Sequence, residues 1–428
     1  MIDDDRQSSH PLETIDPLPI MAAGQQETQP PLITGVFAPL RHSVPLPTVQ
    51  LPNQIRQSFS RRTLSALARV TRFVFEAFSL ISLLAVMTAL PLIQLISFGY
   101  LLDVAGKLTR GSTINAAIAW RATAGKIGLA VIALFALSLP IRLLSHWATV
   151  AEVISPGTAR AELLRGGAIA LAVAAVIHWS WAWAQGGRLI DYLKPSPLGW
   201  LRSLRHPQIW LDAADALLAM IRSMQMPRLF WLGLRGAVGT LLWLSPATVI
   251  ILANRNGQSG LAGLVGAVAF ICLGLALLYL PMLQANFAAD NRLRSLFAVK
   301  TVRADFRRAP WAWLGAMILT LVVLPIPLYL LKIEPPPAEL IWLPTWFFIA
   351  LMLPARVASG LAMRRARSKA EPSGRWATCS RWTARLLMPP VVGVYLLFVY
   401  LSQYVSWDGL QTWVQQHAVL VPVPFVGG

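Results

Sequence analysis

Of 428 residues, 56% are apolar and only 13% are charged, about half the charged share of an ordinary soluble domain. That leaves too little charge to clothe the surface of a water-soluble fold of this size, so a soluble globular class is excluded. The net charge of +18, from 37 Lys and Arg against 19 Asp and Glu, fits the cationic loops of a membrane protein, and no nucleic-acid module accompanies it.

Residues 1–55 are polar and Pro-rich. Six acids (Asp3, Asp4, Asp5, Glu13, Asp16, Glu27) face a single early base, Arg6. Such a stretch cannot bury a core and reads as a disordered acidic tail. Residues 56–72 change character. Arg56, Arg61, Arg62, Arg69 and Arg72 alternate at helical spacing with Phe59, Leu64, Leu67 and Val70. This predicts a basic amphipathic helix lying on anionic head groups.

Eight hydrophobic segments follow: 73–102, 127–147, 166–185, 229–253, 260–289, 310–331, 340–363 and 386–407. Each is near or above the roughly 20 residues that a bilayer core requires. The expected fold is all-α, a polytopic transmembrane helical bundle. It divides into a first membrane half (73–253), a second (254–407) and a short C-terminal tail (408–428). Prolines at 91, 140, 246, 281, 325, 344 and 389 predict kinks inside the segments.

Lys and Arg gather in the loops after segments one, three, five and seven and are sparse in the others. The positive-inside rule places the rich loops in the cytoplasm, at a cytoplasmic (inner) membrane, and the C-terminal tail outside. Eight straight crossings then put the N-terminus outside too, against the five arginines just before segment one. A re-entrant first segment removes the conflict. Its uncharged run from Ala77 to Leu102 suits two partial crossings that bend at Pro91, and this is the reading favoured.

Short echoes suggest an internal repeat in parallel orientation. Leu90-Pro91-Leu92-Ile93-Gln94 resembles Leu280-Pro281-Met282-Leu283-Gln284, and Leu139-Pro140-Ile141 resembles Leu324-Pro325-Ile326. Ala161-Glu162-Leu163 and Ala338-Glu339-Leu340 follow in the same order. Parallel repeats occur in transporters.

Residues with chemical potential are scattered. Gln94, Gln284 and Asn286 lie inside apolar segments and are the candidates to line a cavity. Asp212 and Asp215 share a helix face, a weak pattern for a divalent cation. His178 sits in a Trp-rich segment end, as interfacial residues do. Glu76 can pair with Arg72 one turn earlier, and Arg235 can snorkel to the interface. Gly260, Gly263 and Gly266, with Ala262, allow close helix contact in segment five. Cys272 and Cys379 do not form a recognisable pair. No metalloprotease helix, nucleophile elbow, phosphate loop or dinucleotide fingerprint occurs, so no catalytic, cofactor or metal residue is expected. Arg61, Arg62, Arg292, Arg294, Arg307, Arg308, Arg364 and Arg365 are the expected contacts to anionic lipid.

Phe98-Gly99-Tyr100-Leu101-Leu102-Asp103-Val104, followed by a basic stretch to Arg110-Gly111, resembles the Gly-Tyr-Leu signature of an uncharacterised bacterial multi-pass membrane family (domain of unknown function four-zero-one-three). Phe287 to Trp313, with Arg292, Leu293, Phe297 and Arg307-Arg308-Ala309-Pro310, is similar in style to that family's second half. The resemblance implies membrane embedding and no activity. The leading expectation is a non-enzymatic integral membrane protein, a scaffold or accessory subunit. Its partners are the bilayer with anionic head groups and a protein or second copy, not nucleic acid. A small-solute or lipid transporter and a membrane-embedded lipid-modifying enzyme are the alternatives.

Overall fold

The computed structural model describes residues 53–194, 199–200, 206, 208–253, 260–327, 343–402 and Leu420. Nearly all of the expected acidic tail and, apart from Leu420, the expected C-terminal tail lie outside these residues. Residues 1–60 form one unit and 61–428 another. Of the first, only the helical stretch 53–60 is described. The second carries the fold. Among the described residues eight helices are long and apolar enough to cross a membrane, so the chain is an all-α polytopic bundle.

Helix α1 (Asn53–Ala89) has no boundary near residue 72. The stretch 63–75 holds neither Pro nor Gly, and Leu, Ala and Arg are good helix formers, so nothing stops the helix there. The expected surface helix and the first hydrophobic segment are thus one continuous element from Thr63 to Ala89. The chain breaks at Leu90–Ile93, where Pro91 removes a donor and drives Leu90 away from helical geometry. Leu92 follows at φ +66, in the left-handed region. Helix α2 (Gln94–Thr109) then turns back along α1, and the Ser97 hydroxyl donates to the Leu84 carbonyl at 3.1 Å.

Helix α3 (Arg121–Ile154) fixes the sense of this hairpin. Gly125 meets Glu76, and three residues later Gly128 meets Ser79, where an added Cβ would lie 2.8 Å from Glu76 Cγ and 2.3 Å from Ser79 Oγ. Both positions advance together, so α1 and α3 pack directly on each other and run in the same direction, and α2 supplies the return of the chain that lies between them in sequence. The first segment is therefore a helical hairpin rather than one straight helix. The 16 residues of α2 reach about 24 Å at 1.5 Å each, short of the ~30 Å core.

Helix α4 (Ala159–Ala184) returns beside α3, with Trp179 Nε1 donating to the Ala130 carbonyl at 2.9 Å. The outer faces of this pair expose Val131, Phe135, Leu143, Val173 and Val176, as lipid-facing helices do. Helix α5 (Gln208–Ser223) is amphipathic and has no buried residue. Helices α6 (Met226–Ala253) and α7 (Gly260–Asp290) follow. A short α8 (Val299–Arg308) precedes α9 (Pro310–Ile318), which continues through a π turn, Leu319–Val323. That wider turn precedes Pro325 and replaces the simple kink expected there. Helices α10 (Leu343–Arg367) and α11 (Arg375–Ser402) complete the bundle. Pro140, Pro246, Pro281 and Pro389 lie inside helices as expected, as do Pro354 and Pro390.

Helix α2 is the centre of the bundle. Three neighbours approach it to backbone distance through glycine. A Cβ on Gly99 would lie 1.9 Å from the Leu229 carbonyl of α6, and one on Gly233 of α6 would lie 1.9 Å from the Leu95 carbonyl. Gly106 meets the Ala288 carbonyl of α7 at 2.5 Å by the same measure, and Gly360 of α10 meets the Ala105 carbonyl at 2.7 Å. These glycines do the work expected of segment five, where Gly263 faces open space. Helix α2, from the first expected half, packs against α7 and α10 of the second. Nor does the proline echo correspond in structure: Pro91 marks the helix break, whereas Pro281 lies within unbroken α7.

Candidate functional site

The polar residues of the bundle concentrate at one end, where α2, α7 and α10 finish. Helix α7 stops because Asn291 adopts φ +55, a left-handed cap that Asn tolerates better than most side chains. Two arginines occupy the carbonyls left open there. Arg110 donates to Ala288 and Ala289 oxygens at 3.0 and 2.8 Å, and Arg235 to the Asn291 Oδ1 at 2.8 Å and its carbonyl at 3.3 Å. Cations at a helix C-terminus complement its partial negative charge. The cap reverses the chain into a 3-10 turn, Leu293–Phe297. The reversal lets Asn286 Nδ2 donate to the Ser295 carbonyl at 2.8 Å and Ser295 Oγ to Asp290 Oδ2 at 3.0 Å.

A chain of buried polar groups runs inward from this end. Arg356, 2% exposed in mid-α10, donates to Gln284 Oε1 and lies 5.6 Å above the Phe98 ring. Gln284 Nε2 donates to Thr240 Oγ1 at 2.7 Å and to the Leu420 carbonyl at 2.9 Å. The Thr240 hydroxyl in turn donates a hydrogen bond to the Gly236 carbonyl at 2.8 Å. Nearer the end, Arg367 donates to Asn286 Oδ1. Buried amides and guanidinium groups persist only when bonded in this way. Asp305 of α8 lies between Arg367 Nε at 3.6 Å and Arg308 Nη1 at 3.3 Å. Burial raises its carboxyl above the usual range, and the two arginines pull it back only in part.

Two further carboxylates are held at the same end. Glu76 receives Arg72 at 2.7 Å, as expected from their spacing, and also Arg121 at 2.8 Å. Asp103 receives Lys107 at 2.7 Å, with Arg228 at 3.5 Å. Each is a shielded acid bridging helices, an arrangement that orders elements more than it adds net stability.

Gln94, Gln284 and Asn286 stand in three different surroundings among the described residues. Gln94 is partly buried beside the α1–α2 break, and its Oε1 has no hydrogen-bond partner among the described residues. Gln284 is closed off within helix contacts. Asn286 does border a cavity, of about 510 Å³, together with Asp290, Arg292, Arg294, Ser295 and Thr301, but at the end of the span. Asp212 and Asp215 are exposed, and among the described residues no three His, Cys, Asp or Glu side chains cluster to hold a metal. His178 Nε2 contacts the Tyr192 carbonyl at 2.9 Å, just past the end of α4. Cys272 and Cys379 are free thiols.

Of the arginines expected at lipid, Arg292, Arg294, Arg307, Arg364 and Arg365 are exposed. Arg308 is drawn to Asp305, and Arg364 also donates to the Ser112 carbonyl at 3.2 Å. The side chains of Arg61 and Arg62 lie outside the described residues. Sequence reasoning passed over Arg356, Arg367, Asp305 and Thr240. Arg356 was visible as the only charge between residues 340 and 363, and an ionisable residue inside a span marks an interior contact or a working site. No protein-family model, curated protein or solved structure matches the chain, and the site is read from its own geometry.

Proposed function

We propose that this chain is a non-enzymatic integral protein of the cytoplasmic membrane that acts by binding. It crosses seven times, carries one re-entrant hairpin, and sets its basic end on the anionic head groups of the cytoplasmic leaflet. The observation that supports this reading is the parallel run of α1 and α3, with α2 as the single returning helix between them in sequence. That arrangement brings the arginines before segment one to the same face as the Lys- and Arg-rich loops, so the positive-inside rule holds along the whole chain. The transporter alternative requires a polar cavity at mid-depth, and Gln284 and Asn286 instead hydrogen-bond across helix contacts.

The test is a pair of topology reporters, one active only in the cytoplasm and one only outside it. Each is fused ahead of residue 1 and, separately, within the loop at Glu371. The cytoplasmic reporter is expected to be active at both sites. Activity of the external reporter at either site would overturn the reading.

A further inference from the structure

The cavity at the end of α7 differs from the rest of the basic face in its charge pattern. Arg292 and Arg294 border it without a hydrogen bond or ion pair among the described residues, yet Asp290 borders it too. Ser295 Oγ occupies one Asp290 oxygen, which leaves the other for a cation. Thr301, in the first turn of α8, also borders the cavity, so the partial positive charge of that helix start lies beside it. Asn286, fixed by Arg367 and the Ser295 carbonyl, forms the inner wall.

The position points to a lipid rather than a free solute. The cavity lies where a span ends at Asp290, and the turn beside it exposes Leu293 and Phe297, 37% and 46% exposed. Phe297 stacks on Trp243 at 6.1 Å. Apolar and aromatic side chains beside a charged cavity at a span end suit an acyl-chain and glycerol contact. A volume of about 510 Å³ lies within the usual range for small-ligand sites and admits a head group with its glycerol.

We infer that this cavity is a specific site for a zwitterionic phospholipid head group, with its phosphate on Arg292 and Arg294 and its ammonium on Asp290. A guanidinium pair matches phosphate oxygens, and a carboxylate disfavours a second anion, so phosphatidylethanolamine is selected over phosphatidylglycerol. The inference goes beyond the general attraction to anionic lipid, but rests on this end lying at the head-group level.

The experiment uses the full chain in detergent with equal amounts of phosphatidylethanolamine and phosphatidylglycerol, and reads lipid retention by native mass spectrometry. Wild type is expected to retain one phosphatidylethanolamine at least tenfold more than phosphatidylglycerol. The double variant Arg292→Ala/Arg294→Ala is expected to lose retention of both about tenfold, and Asp290→Asn to reverse the preference. Equal retention by wild type and the double variant, or no preference in wild type, overturns the inference. Glycerophosphoethanolamine at high excess is expected not to displace the bound lipid, and displacement would place the affinity in a soluble head group and overturn the lipid assignment. A spin label at Arg303→Cys, in a Cys272→Ser/Cys379→Ser chain reconstituted in vesicles, measures depth. A label far out in water overturns both this inference and the reading beneath it, whereas head-group depth with no selective retention overturns this inference alone.

Discussion

Gln284 stands at the junction of three helices and the Leu420 carbonyl, and each of its atoms is spoken for. Replacing it with Leu removes an acceptor from Arg356 and a donor from Thr240 and Leu420. Leaving buried polar groups unmatched costs ~1–3 kcal/mol, so Gln284→Leu should lower the thermal midpoint in detergent, whereas Gln94→Leu should leave it within error. Asp305 makes a different prediction. Its carboxyl holds its proton more tightly folded than unfolded, so the folded state binds more protons between the unfolded value and the raised folded one. Stability therefore falls as pH rises through that window and is regained as pH is lowered through it. Asp305→Asn should abolish this dependence and be no less stable than wild type at neutral pH, as thermal melts across an acid series will read. Polar residue types inside apolar runs were legible from sequence, but their partners were not. Gln284 and Arg356 are 72 positions apart, and no local spacing links them.

The elements were legible where composition alone decides them. The described parts of the eight apolar runs are helical, apart from the break at Leu90–Ile93, because a chain in lipid must satisfy its own backbone. Which helices touch was not legible, because close approach depends on glycines that look alike in sequence. Gly263 faces open space, while Gly99 and Gly233 bring two backbones together. Their added Cβ atoms would collide with backbone carbonyls, which cannot swing aside as side chains do. Gly99→Ala or Gly233→Ala should each destabilise the bundle by ~1–3 kcal/mol, and Gly263→Ala should have little effect. Equal melting of all three variants in the same detergent would contradict the central place given to α2. The break at Pro91 was legible as well. The continuity of α1 through residue 72 was not, since a basic amphipathic stretch and an apolar one can be a single helix whose surroundings change along its length.

At the scale of the whole molecule, one hairpin decides the topology. The arginines and the apolar runs conflict if every segment crosses straight, and the proposed topology, built on the parallel run of α1 and α3, removes that conflict. The most direct test places single cysteines at Ala66→Cys, Ala116→Cys and Ser155→Cys in a Cys272→Ser/Cys379→Ser background, and labels them with a membrane-impermeant thiol reagent from each side of the membrane. The first two positions flank the hairpin and are expected to react from the cytoplasmic side only. The third, in the turn between α3 and α4, is expected to react from the opposite side only. Labelling of Ala66→Cys and Ala116→Cys from opposite sides would show a straight first crossing and contradict the account.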